Sequence, residues 1–140
     1  MLIRAIALAP GVAEAELTVL EAPLSLWGGV SLETGAIIDR THPQHGLPLA
    51  GRVVAMRGGR GSSSSSSALV ELARCGRAPA AILLIAHDPI LTMGALVAAE
   101  LYAVRIPILR LESSDWDRLT TGAPARVRAD NPSRTAVLAL

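Results

Sequence analysis

Apolar and polar positions along this chain change period several times, and each change predicts an element. Residues 2–8 form an apolar run that reads as a strand, turned by Pro10 and Gly11. Residues 13–20 roughly alternate, the period of a half-buried strand, and residues 21–23 close it. The short apolar segment 24–30 ends in Trp27-Gly28-Gly29-Val30, where the glycine pair allows a tight turn beside a packed Trp or the close approach of a ligand. A second turn at 33–35 precedes a short strand at 36–39, a polar loop at 41–46 and a strand at 52–56. Residues 68–75 put Leu69, Val70, Leu72 and Ala73 on one helical face, with Arg74 in the last turn and Gly76 as the stop. The unbroken aliphatic run 80–86 predicts a fully buried strand. Asp88 at N-cap and Pro89 at N1 then open a helix that runs to about Tyr102. Ile90, Leu91, Met93, Leu96, Val97 and Leu101 are its candidates for the core. A strand at 106–111, a helical turn or capped loop at 113–119, and strands at 125–129 and 135–140 complete the chain. Strand–helix–strand–helix–strand in the middle implies parallel α/β pairing, and the flanking strands can form a second, mainly antiparallel layer. The expectation is a compact layered barrel or sandwich with two helices.

Composition narrows this picture. A length of 140 residues fits one domain over 1–140 with a sizeable core. With no Phe, one Tyr and two Trp, that core must be built from small aliphatics packed closely together. Thirteen arginines meet twelve acids, a balance that argues against a nucleic-acid partner drawn by phosphate charge. Lysine is absent, which excludes Schiff-base chemistry and the P-loop lysine within this chain. Cys75 is the only cysteine, so no internal disulfide forms. An iron–sulfur cluster needs roughly three or four thiolates, more than this chain supplies alone. His42, His45 and His87 have no zinc-site spacing, and the first two read as solvated loop residues. The longest apolar run, 78–86, contains Pro79 and falls far short of the roughly 20 residues that span a bilayer. The N-terminus imitates a weak signal peptide, but Arg4 breaks its short apolar stretch, so a cytoplasmic location is expected.

One stretch concentrates candidate chemistry. Arg57-Gly58-Gly59-Arg60-Gly61 runs into six serines, 62–67, and then into the helix. The first amides of a helix point outward and carry partial positive charge. Glycines let an anion approach them, and serine hydroxyls with Arg57 and Arg60 add donors and charge. The spacing is not that of a Walker A loop, and no glycine follows the serines as a nucleophile elbow requires. Three readings stay open on these residues: an anion site, an ordinary linker or N-cap, and a nucleophile. A serine placed where amides and an Arg converge can also act as a base, because its scarce alkoxide is stabilised there.

The order and spacing of several short motifs resemble a known family. Trp27-Gly28-Gly29-Val30, Glu33-Thr34-Gly35, Ile38-Asp39, His42-Pro43, Gly46, Gly51-Arg52-Val53 and Gly59-Arg60-Gly61-Ser62-Ser63 look like the small (swivel) subunit of aconitase X. Gly76, Ala78-Pro79-Ala80-Ala81-Ile82 and Asp88-Pro89-Ile90 continue the match, which covers about residues 19–102. The resemblance implies an α/β fold, a swivelling β/β/α domain similar to the mobile domain of aconitase. It implies a heterodimer with an aconitase X large subunit, which carries the cysteines and an iron or iron–sulfur centre, while this chain binds no metal. Family members are hydro-lyases acting on small molecules, without nucleic acid or membrane. Bacterial ones resemble cis-3-hydroxy-L-proline dehydratases and archaeal ones phosphomevalonate dehydratases. By the same resemblance Ser62 is the catalytic base, and Arg60, Gly61 and Ser63 line the substrate carboxylate or its path. A non-catalytic swivel or lid module is the alternative. Relatives carry a glycine near Ser65 where this chain has serine, so a tighter or differently bent turn is expected here.

Overall fold

A computed structural model describes residues 1–61, 63–131 and 133–140. The chain runs through β1 (Leu2–Ala9), β2 (Gly11–Val19), a single turn α1 (Leu26–Gly29), β3 (Val53–Met56), α2 (Ser65–Arg74), β4 (Ala81–Leu84) and α3 (Pro89–Tyr102). It continues through β5 (Ile108–Arg110), a 3-10 turn η1 (Ser113–Arg118), β6 (Pro124–Ala129) and β7 (Thr135–Ala139). The strands pair in the order β1-β5-β4-β3-β2-β6-β7, and β1 meets β7 antiparallel to close the ring. The β2–β3, β3–β4 and β4–β5 pairs are parallel, whereas β1–β5, β2–β6, β6–β7 and β1–β7 are antiparallel. This is the mixed sheet that the element order implies.

The ring is flattened into layers, and side-chain alternation shows why. On β3 and β4, Val54, Met56, Ile82 and Leu84 pack with Leu69 and Leu72 of α2 and Leu91 and Ala95 of α3. Val53, Ala55, Ala81 and Leu83 point the other way, against Ile3, Leu17, Val127 and Leu138 of the opposite strands. Both faces of these strands are therefore buried, which is why their sequence reads as unbroken apolar runs. The layers follow as helices, parallel strands and antiparallel strands: the β/β/α arrangement.

Several boundaries depart from the sequence reading. The buried strand at 80–86 is ladder-paired only over Ala81–Leu84. The strand expected at 36–39 reduces to isolated bridges, Val30 with Ile37 and Ala36 with Pro48. α2 begins at Ser65, three residues before the apolar face starts. Trp27 is not packed beside its glycines but 54% exposed, while Gly28 does make the turn, with φ of 79°. The core face of α3 differs most. Leu91, Gly94, Ala95 and Ala98 are buried, and Met93, Leu96 and Leu101 face outward.

Candidate active site

The glycine turn leaves the C-terminal end of β3 and is fixed at its root. The Arg57 carbonyl accepts hydrogen bonds from the Ile85 and Ala86 amides at 3.2 and 2.8 Å. The Arg57 guanidinium lies over the Trp116 ring, 4.7 Å from its centre, so η1 shares in holding the turn. Gly59 bridges to Leu24 in parallel, and the Arg60 amide donates to the Leu24 carbonyl at 3.3 Å. Gly61 has φ of 44°, a left-handed conformation that favours glycine.

Beyond the turn, α2 starts inside the serine run. Ser63 and Ser64 lead in, and the Ser63 carbonyl accepts from both the amide and the hydroxyl of Ser66, at 3.4 and 3.0 Å. Ser65 is buried, its hydroxyl 3.3 Å from that of Ser25 and close enough to accept from the Trp27 amide. The Ser25 hydroxyl in turn hydrogen-bonds the Trp27 carbonyl at 3.1 Å. Ser65 is the first residue of α2 and lies outside the positive-φ set, so the backbone at this position does not require a glycine. Its side chain is used to fasten the head of α2 to the α1 turn.

Of the residues singled out in the sequence, Arg60, Gly61 and Ser63 stand together and are exposed, while Ser62 lies outside the described residues. The hollow beside them measures only about 20 Å³, room for a water molecule and not for a hydroxy acid. Leu24, Gly59, Arg60, Gly61, Ser65 and Asp88 are among its walls. A larger hollow of about 480 Å³ lies between β1 and the N-terminal half of α3, bounded by Ile6, Leu8, Pro10, His87, Leu96 and Arg134, and includes none of the turn residues. Arg60 also acts on Asp39. Hydrogen bonds from the Thr41 hydroxyl and then the Thr41 amide push the Asp39 carboxyl below its ordinary value, and the Arg60 charge adds a smaller pull the same way.

His42 is not a solvated loop residue. It is buried, its Nδ1 accepting from the Gln44 amide at 3.0 Å. Nε2 therefore carries the proton and donates to the Ala22 carbonyl at 3.0 Å. Gln44 ties in further, donating to the Val19 carbonyl and accepting from the Glu21 amide. This histidine organises the 19–23 and 41–46 segments that flank the site. Sequence reasoning gave Asp88 only a cap; the structure also lays its carboxylate against Gly59.

A family model described as "Aconitase X swivel domain" matches residues 2–136. A cis-3-hydroxy-L-proline dehydratase of Pseudomonas aeruginosa is 46% identical over 122 residues, 82% of this chain but only 21% of that protein's length. A phosphomevalonate dehydratase small subunit of Methanopyrus kandleri is 43% identical over 110 residues, 78% of this chain and 77% of its own. The crystal structure of Thermococcus kodakaraensis aconitase X in its holo-form matches with a TM-score of 0.82 at 28% identity, covering 100% of this chain and 99% of the matched one.

Proposed function

The chain belongs to the aconitase X swivel domain family, and from that premise we propose that it is the small, swivelling part of a cytoplasmic hydro-lyase completed by a larger partner subunit. The reaction is loss of water from a small hydroxy-carboxylate, with cis-3-hydroxy-L-proline as substrate. A base takes the proton from the carbon bearing the carboxylate. The electron pair left behind forms the new double bond, and the hydroxyl on the neighbouring carbon departs, protonated, as water. Ser62 is the base, its alkoxide stabilised by the amides at the head of α2 and by Arg60. Arg60, Gly61 and Ser63 receive the carboxylate through the guanidinium, the left-handed backbone and a hydroxyl.

The observation that carries this reading is the exposure of Gly59, Arg60, Gly61 and Ser63 beside a hollow too small for any hydroxy acid. Residues that are to meet a substrate here need a second surface to close over them, as half an active site does. An iron centre does not fit the described residues of this chain. Among them no group of three or more His, Cys, Asp or Glu side chains could hold a metal, and Cys75 is exposed beyond the far end of α2. In this reading the iron or iron–sulfur centre belongs to the partner.

The experiment is to co-produce the chain with its large subunit and measure water loss from cis-3-hydroxy-L-proline. Turnover is expected, and Ser62→Ala should lower kcat by about 10²–10⁴-fold. Near-normal turnover in that variant would sink Ser62 as the base. A raised KM with kcat intact would identify a non-catalytic lid instead. Phosphomevalonate is the second substrate to assay, because proteins named as phosphomevalonate dehydratase small subunits match over most of their own length, 77% and 86% in two cases.

A further inference from the structure

We propose that Asp88 is a positioning residue of this site, seating the glycine turn with one carboxylate oxygen while capping α3 with the other; its catalytic consequence rests on the function proposed above. Oδ1 accepts from the Ile90 and Leu91 amides at 3.0 and 3.1 Å, which is the whole of the N-cap role. That leaves Oδ2 for a different task. It lies where a Cβ on Gly59 would be, so any side chain at Gly59 would overlap it. Gly59 is not among the glycines with positive φ. Nothing but Asp88 crowds position 59 this closely; the next element, Leu91, is 3.9 Å away. A side chain at position 59 would therefore displace the Asp88 carboxylate from its seat.

This contact adds a second tie between the turn and the β4–α3 junction, beyond the Ile85 and Ala86 amides that hold the Arg57 carbonyl at its root. Asp88 stands where β4 has ended and α3 begins, and Gly59 is next to Arg60, whose amide is pinned to Leu24. The carboxylate sets the height at which the turn presents Arg60, Gly61 and Ser63. Asp88 and Arg60 both face the water-sized hollow, so the seat lies inside the site.

Cap and seat are separable by mutation. Serine caps helices about as well as aspartate but is too short to reach Gly59. Asp88→Ser should therefore keep α3 folded, while hydrogen exchange at 58–61 and 63–66 speeds up and the first turn of α3 stays protected. In the complex of both subunits the same variant should lose about tenfold in kcat with KM within about threefold, as misplacement of a reacting group predicts. Gly59→Ala gives an independent readout. In the wild-type background it should lower the melting temperature by about 3–6 °C, because the Asp88 carboxylate must turn aside, and in the Asp88→Ser background by about 1 °C or less. Equal losses in the two backgrounds would overturn the contact. Unchanged exchange in the turn, or unchanged kcat in Asp88→Ser, would overturn the positioning role. If the wild-type complex turned over neither substrate, the hydro-lyase reading would fall, and the exchange and melting data would still decide the seat.

Discussion

Asp39 is where charge near the site can be tested one residue at a time. The Thr41 hydroxyl donates to its carboxylate at 2.6 Å and the Thr41 amide at 2.9 Å, and these bonds lower its pKa more than Arg60 and His42 do. A depressed carboxyl contributes stability above its unfolded pKa and loses it as pH falls through the lower folded value. Thr41→Val keeps the shape and removes the hydroxyl, so the Asp39 pKa should rise toward its ordinary value in an NMR titration. No movement would mean that the hydroxyl is not the main cause. Residues of this kind divide into legible and illegible ones. Asp88 was recognisable as a cap because capping is a local pattern of Asp followed by Pro. Its contact with Gly59 spans 29 positions of chain that no periodicity relates. His42 reads as solvated for the same reason, since the Ala22 carbonyl that takes its Nε2 proton arrives only after the chain has doubled back.

Among elements, the α2–α3 pair bears most directly on the turn. Gly94 is the point of closest approach: a Cβ there would stand 2.9 Å from the Ser66 carbonyl oxygen and 3.1 Å from the Ser66 Cα. The obstacle is backbone in the first turn of α2, so the helices must move apart for any side chain to fit. Alanine ordinarily favours a helix over glycine by about 1 kcal/mol. Here overpacking costs about 1–3 kcal/mol and should outweigh that gain. Gly94→Ala is expected to be destabilising by about 1–2 kcal/mol in denaturant melts, and to weaken turnover because the head of α2 shifts with the serines. A stabilised variant with full activity would show the helices are not held at this point. The same packing explains the misread face of α3. The helix is apolar nearly all round, so hydrophobic period cannot orient it. The large residues Met93, Leu96 and Leu101 looked like core, but close contact with α2 selects the smallest stripe, Gly94, Ala95 and Ala98. α2 has a polar face and was read correctly over most of its length.

At the scale of the molecule, the strands and a layered barrel or sandwich were legible, whereas the strand pair that closes the ring was not. Alternation and buried runs are local, and they located every strand of the ring within a few residues. The pairing of β1 with β7, Leu2 opposite Ala139 and Ile6 opposite Thr135, joins the two ends of the sequence and leaves no local trace. Closure has a thermodynamic consequence. β4 sends Ile82 and Leu84 into the core under the helices and Ala81 and Leu83 into the core between the strand layers. The two cores therefore share a wall that neither can lose alone. Leu83 is fully buried, and Leu83→Ala removes contacts only from the strand-side core. Such a truncation costs about 2–5 kcal/mol. If the cores were independent, calorimetry of this variant would show an early transition for the strand layers and an unchanged one for the helices. With a shared wall the whole curve should move down together, by about 5–20 °C, as one transition whose calorimetric and van't Hoff enthalpies agree. The helix that carries the serine turn would then be lost with the strand layers, although the substituted side chain lies on the opposite face of β4.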